Sequence, residues 1–206
     1  WSIVDLDNPK PTEINEKIRP FYWRTNKKDL NVPPAEDDNI FEITPSKEQE
    51  QLATIIHEIE TNVLTRYIRL LQASTNPALL TEKIDLNNLG FLFDEVDFSV
   101  EGALDSKEIA EAKQKTYFDL NVDSIKTPKF EKGMQLIRQL VSEGKKVLVW
   151  GMFVGTMRKI HQELNNAGIF SHLIYGATPK DDRVDLINEF RDGDVQVLIS
   201  NPATLG

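Results

Sequence analysis

Lys146-Val147-Leu148-Val149-Trp150, Ser171-His172-Leu173-Ile174-Tyr175 and Val195-Gln196-Val197-Leu198-Ile199 are short apolar runs separated by stretches of helical periodicity. Between the first two, Val154, Met157, Ile160 and Leu164 recur at three- and four-residue spacing and stop at Gly168. Between the second and third, Thr178-Pro179 opens a helix that runs to about Phe190. Upstream, Phe130, Met134, Ile137, Leu140 and Val141 form one face of a helix ended by Gly144, a residue suited to the left-handed turn after a helix. Strands alternating with helices of ~10–15 residues predict βαβ units with right-handed crossovers. The fold class expected is therefore α/β, with a parallel sheet over 146–150, 171–175 and 195–199 and helices on both of its faces.

Working outward, the chain divides into three zones. Residues 1–80 are an N-terminal helical and extended appendage. Pro9, Pro11, Pro20 and Pro33-Pro34 interrupt its start, because proline lacks an N–H and disfavours helix in the residue before it. Asn39-Ile40-Phe41-Glu42-Ile43 alternates as a short half-buried strand would. Ser46 then caps one long helix, with a stripe through Leu52, Ile55, Ile56, Ile59, Val63, Tyr67, Leu70 and Leu71 that closes at Asn76-Pro77. Residues 81–126 read as an acidic insertion, with a helix over 106–118 capped by Ser106, packed on the helical part. Residues 127–206 are the α/β zone.

Composition limits the function. The 206 residues carry 24 basic and 33 acidic side chains, a net charge of −9, which argues against binding nucleic acid by bulk positive charge. There is no cysteine, so disulfides and thiolate metal sites are excluded, and the three histidines, His57, His161 and His172, are too scattered to suggest zinc. No apolar run approaches the ~20 residues needed to span a bilayer. The start has neither a basic n-region nor an apolar core of a signal peptide. With no starting Met and an end just after a strand, the chain reads as a fragment, and an intracellular location is expected.

Ligands of an open parallel sheet sit at the carboxyl ends of its strands. Gly151-Met152-Phe153, Gly176-Ala177-Thr178-Pro179 and Ser200-Asn201-Pro202-Ala203-Thr204 occupy that edge. Their small and hydroxyl residues let a backbone approach a phosphate. Thr178 has two readings: an anion site at a helix N-terminus, or an N-cap with Asp181 as its capping-box partner. Asp181 and Asp182 would repel a phosphate there. The sequence has no G-x-x-x-x-G-K-[ST] or G-x-G-x-x-G motif. Asp94-Glu95-Val96-Asp97 is the nearest thing to a magnesium-binding box, and without a preceding phosphate loop it reads as a solvated acidic turn. No catalytic set is complete in this chain.

The α/β zone resembles the second RecA-like lobe of superfamily 2 helicases, in its SWI2/SNF2 translocase branch. Thr127-Pro128-Lys129-Phe130 with Gly144–Trp150 resembles that family's lead-in helix and motif IV strand. Tyr175-Gly176-Ala177-Thr178-Pro179, Arg183 and Ile187-Asn188-Glu189-Phe190 resemble its next segment, and Val197–Ala203 the start of motif V. Arg19–Leu30 with Val32-Pro33-Pro34 resembles the family's Phe-x-x-Arg-Arg-x-Lys-x-Asp-Val, Leu-Pro-Pro stretch. Arg69-Leu70-Leu71-Gln72 with Asn76-Pro77-Ala78-Leu79-Leu80 resembles its Arg-Leu-x-Gln, Asn-His-Pro-x-Leu segment. Trp23 stands where the family commonly has Arg, Gly151-Met152 replaces Ser-Gln, and Ser200–Thr204 departs from Ser-Thr-Arg/Lys-Ala-Gly.

The resemblance implies a piece of an ATP-dependent motor that tracks along duplex DNA, with RNA as the alternative. This lobe would close over ATP and grip phosphates through Gly151, Gly176, Thr178, Ser200 and Asn201, with Arg183 and Gly206 on the ATP side or supporting the loops. ATP and magnesium would be held by the parent's first RecA-like lobe, this lobe's partner, and neither tightly by this chain. Membranes are not an expected partner. Two other classes remain: a non-hydrolytic α/β module that binds a nucleotide or nucleic acid, and a catalytically empty protein-interaction lobe.

Overall fold

A computed structural model describes residues 10–18, 37–84 and 107–205. Trp1–Glu42 and Ile43–Gly206 are separate compact units. Within the first, the one described helix is α1, Pro11–Ile18. The expected strand at 39–43 does not form: these residues belong to no strand, and Ile40 and Phe41 are 86% and 50% exposed. Alternation alone does not make a strand, because strand preference depends on the neighbours the backbone meets. The Arg19–Pro34 stretch lies outside the described residues.

The second unit begins with two helices where one was expected. Helix α2 spans Lys47–Ile59 and α3 spans Val63–Thr75. Ser46 caps α2 as expected, its Oγ accepting from the Gln49 N–H while Gln49 returns a bond to the Ser46 N–H. The break falls at Glu60-Thr61-Asn62, and Asn62 caps α3 by accepting from the Thr65 N–H. The turn rotates the helix face. Val63 and Tyr67, expected in the apolar stripe, are 76% and 54% exposed, and Leu64 and Ile68 are buried instead.

A buried carboxylate accounts for this break. Glu60 is 1% exposed and receives Lys113 Nζ at 2.8 Å and the Tyr117 hydroxyl at 3.0 Å. Arg69 Nε lies 3.8 Å away. Lys113 and Tyr117 belong to α4, Lys107–Asp119. The side chain of Tyr117 completes an apolar cluster with Leu52, Ile56, Ala73, Leu80 and Val122. Arg69 also donates to the carbonyls of Leu79 and Glu82, at 3.0 Å each, fixing the 3-10 turn Pro77–Thr81. Ser106 and the Asp94–Asp97 turn lie outside the described residues.

The α/β part follows. Helix α5 is Pro128–Ser142, α6 is Val154–Asn166 and α7 is Lys180–Asp192, with the single turn α8 at Pro202–Leu205. Strands β1 (Val147–Trp150), β2 (Ser171–Ile174) and β3 (Val197–Ser200) form one parallel sheet in the order β1-β3-β2. Val147 pairs with Val197, and Val197 with Ser171. Gly144 and Gly168 take φ of 76° and 77° after α5 and α6, the left-handed conformation that glycine enters without a Cβ clash.

In this register, alternate residues face opposite sides. Val147, Val149, Val197, Ile199 and Leu173 meet Met134, Ile137 and Val141 of α5 and Met157 and Leu164 of α6 in one core. On the other side, His172 meets Glu189 of α7, Nε2 to Oε2 at 2.6 Å. Helices thus cover both faces, as expected of a RecA-like α/β sheet. Leu198 and Ile174 on the α7 side are buried, while Leu148 and Trp150 of edge strand β1 remain 43% and 50% exposed.

The Glu60 network generates a stability prediction. Removing one partner of a buried ion pair leaves the other uncompensated, at a cost of roughly 3–5 kcal/mol. Glu60→Ala is expected to lose stability on that scale in urea melts. Tyr117→Phe, which removes one hydrogen bond and keeps the ring, is expected to cost about 1 kcal/mol. A Glu60→Ala midpoint equal to the wild type contradicts this account of the helix break.

Candidate nucleic-acid interface

Because all three strands are parallel, their C-terminal ends open on one edge, which carries the loops after Trp150, Ile174 and Ser200. The first is tied to the last, since the Gly151 N–H donates to the Ser200 carbonyl at 2.8 Å and extends the ladder by one residue. A Cβ at Gly151 would lie 2.4 Å from Met157 Cγ, so glycine lets α6 close against the strand end.

The loop after β2 corrects one expectation. Pro179 is the N-cap residue of α7, and no side chain caps the helix. Thr178 points backward instead: its Oγ1 accepts from the Tyr175 N–H at 3.1 Å, and its own N–H donates to the Tyr175 carbonyl at 2.9 Å. The capping box with Asp181 is absent because the Thr178 hydroxyl is committed to the turn. Proline at the cap position supplies no side-chain acceptor of its own.

Arg183 closes the same turn from α7. Its Nε donates to the Thr178 carbonyl at 2.9 Å and its Nη2 to the Gly176 carbonyl at 3.2 Å. Both loop carbonyls are thereby turned toward the helix. Gly176 and Ala177 are exposed and Thr178 is half-buried, so the outward surface of the turn is backbone and small side chains.

The third loop lies deeper. Ser200 and Asn201 are 0% and 1% exposed, beneath the surface of the edge. The Asn201 carbonyl accepts from the Thr204 N–H as α8 begins, and Asn201 Oδ1 has no hydrogen-bond partner among the described residues. Gly206 lies outside the described residues. The structure therefore joins Gly151 to Ser200 and Gly176 to Thr178 and Arg183, and it leaves Gly176 as the open member of the set.

Sequence reading passed over α6. Its N-cap is Phe153, which has no side-chain acceptor. Arg158 donates to the Tyr175 hydroxyl at 2.9 Å and lies 5.2 Å from that ring's centroid, bridging α6 to the loop after β2. The signal available was a basic pair, Arg158-Lys159, one turn past the glycine-containing loop. Leu64 and Ile68 of α3 pack with Met152 and Phe153, so the helical part backs the first loop directly.

Residues 128–203 match the family profile described as helicase conserved C-terminal domain. The match covers the α/β segment, whose fold is RecA-like. Among solved structures, the chain is similar to the Sulfolobus solfataricus SWI2/SNF2 ATPase core domain at 17% identity and a TM-score of 0.55, covering 92% of this chain and 36% of that one. The C-terminal domain of the Sulfolobus solfataricus SWI2/SNF2 ATPase is matched at 16% identity and a TM-score of 0.47, over 75% of this chain and 58% of that one. The C-terminal part of the Fun30 ATPase domain is matched at 16% identity and a TM-score of 0.44, over 76% and 65%. The chain thus spans less than two-thirds of the length of each of these structures. No curated protein matches it. At 17% identity, the likeness to the core domain bears on the fold alone. Among the described residues, no helix is long and apolar enough to cross a membrane.

The brace on the β2 loop is testable by hydrogen exchange. Arg183→Ala is expected to speed exchange at the Thr178 amide several-fold, with a stability change of about 1 kcal/mol or less, since the bonds lost are near the surface. Unchanged exchange at that amide would mean that the turn holds its shape without Arg183.

Proposed function

We propose that this chain is the second motor lobe of a SWI2/SNF2-like, ATP-dependent translocase and that its strand-end loops hold the phosphates of duplex DNA. The observation that carries the reading is the convergence of the three loops on one edge of a helicase-type lobe. The Gly176–Thr178 turn, braced by Arg183, presents exposed backbone to that edge. Gly151 and the open N-terminus of α6 adjoin it. Backbone N–H groups and helix N-termini bind phosphate oxygens without reading base edges, so this grip is independent of sequence. Ser200 and Asn201 support the edge from beneath, and Arg183 acts through the turn. An intracellular location follows from this reading.

ATP and magnesium belong, in this reading, to the partner lobe. The sequence has no phosphate-binding loop, and among the described residues no group of three His, Cys, Asp or Glu side chains is placed to hold a metal ion. No step of hydrolysis is assigned to this chain's residues in this reading. Phosphoryl transfer needs a phosphate cradle, bound magnesium and a charge-stabilising arginine together.

Binding measured against salt tests the reading. Two duplexes of unrelated sequence are expected to bind with equal affinity, weakly, and with log affinity falling linearly as log salt rises. A structured RNA of similar length tests the alternative ligand. Absence of binding at low salt, or strong preference for one duplex sequence, overturns the phosphate grip. Binding without any magnesium-dependent ATP turnover by the chain alone is the accompanying expectation. Turnover above a catalytically dead control contradicts the assignment of ATP to another lobe.

A further inference from the structure

The turn that presents exposed backbone to the strand-end edge is closed on a single residue. Tyr175 follows β2, and both of its backbone polar groups go to Thr178. Its N–H donates to Thr178 Oγ1 at 3.1 Å, and its carbonyl accepts from the Thr178 N–H at 2.9 Å. Gly176 and Ala177 are the exposed middle of this four-residue turn. The placement of Tyr175 therefore sets where their N–H groups point.

The Tyr175 side chain is held from α6. The residue is half-buried and packs against the main core of the sheet. Its hydroxyl accepts from Arg158 Nη2 at 2.9 Å, and the guanidinium carbon of Arg158 lies 5.2 Å from the ring centroid. One arginine thus gives one tyrosine both a directional bond at its tip and a cation–π contact along its ring. Lys159, the next residue of α6, is engaged elsewhere, its Nζ 4.6 Å from the centroid of the Phe130 ring in α5.

The two arginines act on different parts of the turn. Arg183 of α7 draws the carbonyls of Gly176 and Thr178 toward the helix, and Arg158 of α6 fixes the tyrosine at the base. The Gly151 bond to Ser200 already ties the loop after β1 to the loop after β3. Helix α6 begins where the loop after β1 ends, so Arg158 ties that loop's helix to the loop after β2. All three strand-end loops are thereby linked. A backbone turn that is already in shape binds its ligand without the added cost of ordering.

We propose that Arg158 and Tyr175 are a positioning pair: Arg158 sets the Gly176–Thr178 turn through Tyr175 and makes no contact of its own with phosphate. The inference rests on the phosphate grip proposed above and adds two residues that the grip does not itself use. An exposed arginine on this edge has an alternative use, a direct bond to a phosphate, and the two roles differ measurably. A direct contact depends on the charge of Arg158 and is indifferent to the Tyr175 hydroxyl. A positioning contact needs both groups, and losing the second after the first costs nothing more.

Duplex binding by the 206-residue chain over a range of salt tests the pair in Arg158→Met, Tyr175→Phe, the double variant and Lys159→Met. Lys159→Met removes the same charge one residue away and so sets the effect of charge loss by itself. Tyr175→Phe is expected to weaken binding about threefold although no charge changes. Arg158→Met is expected to weaken it about three- to tenfold, the factor carried by one exposed hydrogen bond and one cation–π contact. The double variant is expected to bind as Arg158→Met does. The slope of log affinity against log salt is expected to be the same in Arg158→Met as in Lys159→Met, whereas loss of a direct phosphate contact lowers it by a further ~0.9. In the free chain, the Thr178 amide is expected to exchange several-fold faster in Arg158→Met and Tyr175→Phe than in the wild type and Lys159→Met. Wild-type affinity in Tyr175→Phe, effects that add in the double variant, the further fall in slope, or unchanged exchange at the Thr178 amide each overturn the pair. If the wild type binds no duplex at low salt, the phosphate grip falls and exchange alone decides whether Arg158 holds the turn. Faster exchange then keeps the hold of Arg158 on Tyr175, and unchanged exchange overturns it.

Discussion

Strand β3 is the constraint on which the α/β part depends. It pairs in parallel with β1 on one side and β2 on the other, and all four of its residues are buried. A strand in that position cannot leave its N–H and C=O groups to water, so both neighbours must be in register to satisfy them. Parallel neighbours in turn require crossovers, and α6 and α7 supply the connecting helices. Once β3 is fixed, the loops after the three strands have one edge to share. The Gly151 N–H on the Ser200 carbonyl is the last rung of that ladder and the first contact between two of those loops.

A second constraint acts from the helical side. Glu60 holds α4 against α2 and α3 through Lys113 and Tyr117, and Arg69 passes the arrangement on to the carbonyls of Leu79 and Glu82. The segment so held meets α6 at close range: a Cβ on Gly155 would lie 2.4 Å from Leu79 Cδ2. Leu64 and Ile68 back the Met152-Phe153 loop. The helical part therefore forms one wall of the strand-end region, and the placement of the α6 N-terminus depends on both halves of the unit.

The α/β core was legible because its signals are local and redundant. Each strand is short and rich in apolar residues, and Gly144 and Gly168 mark the ends of α5 and α6 in the left-handed conformation that their identity suggests. The edge loops followed from topology alone. What failed depended on distant partners. Ile59 and Val63 keep helical spacing across Glu60-Thr61-Asn62, so nothing in the local pattern shows the break. The two groups that hydrogen-bond the Glu60 carboxylate, Lys113 and Tyr117, stand more than fifty residues away. Alternation at 39–43 predicted a strand, and these residues belong to none. Thr178 satisfied the local rule for a helix cap and was taken instead by the Tyr175 backbone three residues earlier. Arg158 and Tyr175 stand 17 residues apart in different elements, and sequence offers no measure of that proximity.

The central claim is that the C-terminal edge of the parallel sheet is the surface that meets nucleic acid. Mapping amide chemical shifts of the isotope-labelled chain during titration with a short duplex tests it most directly. The account predicts the largest changes at Gly151, Val154–Thr156 and Gly176–Thr178, with smaller ones spreading to Asn201 beneath. Changes confined to the opposite edge, around Lys145-Lys146, Phe170 and Gly193, would contradict it.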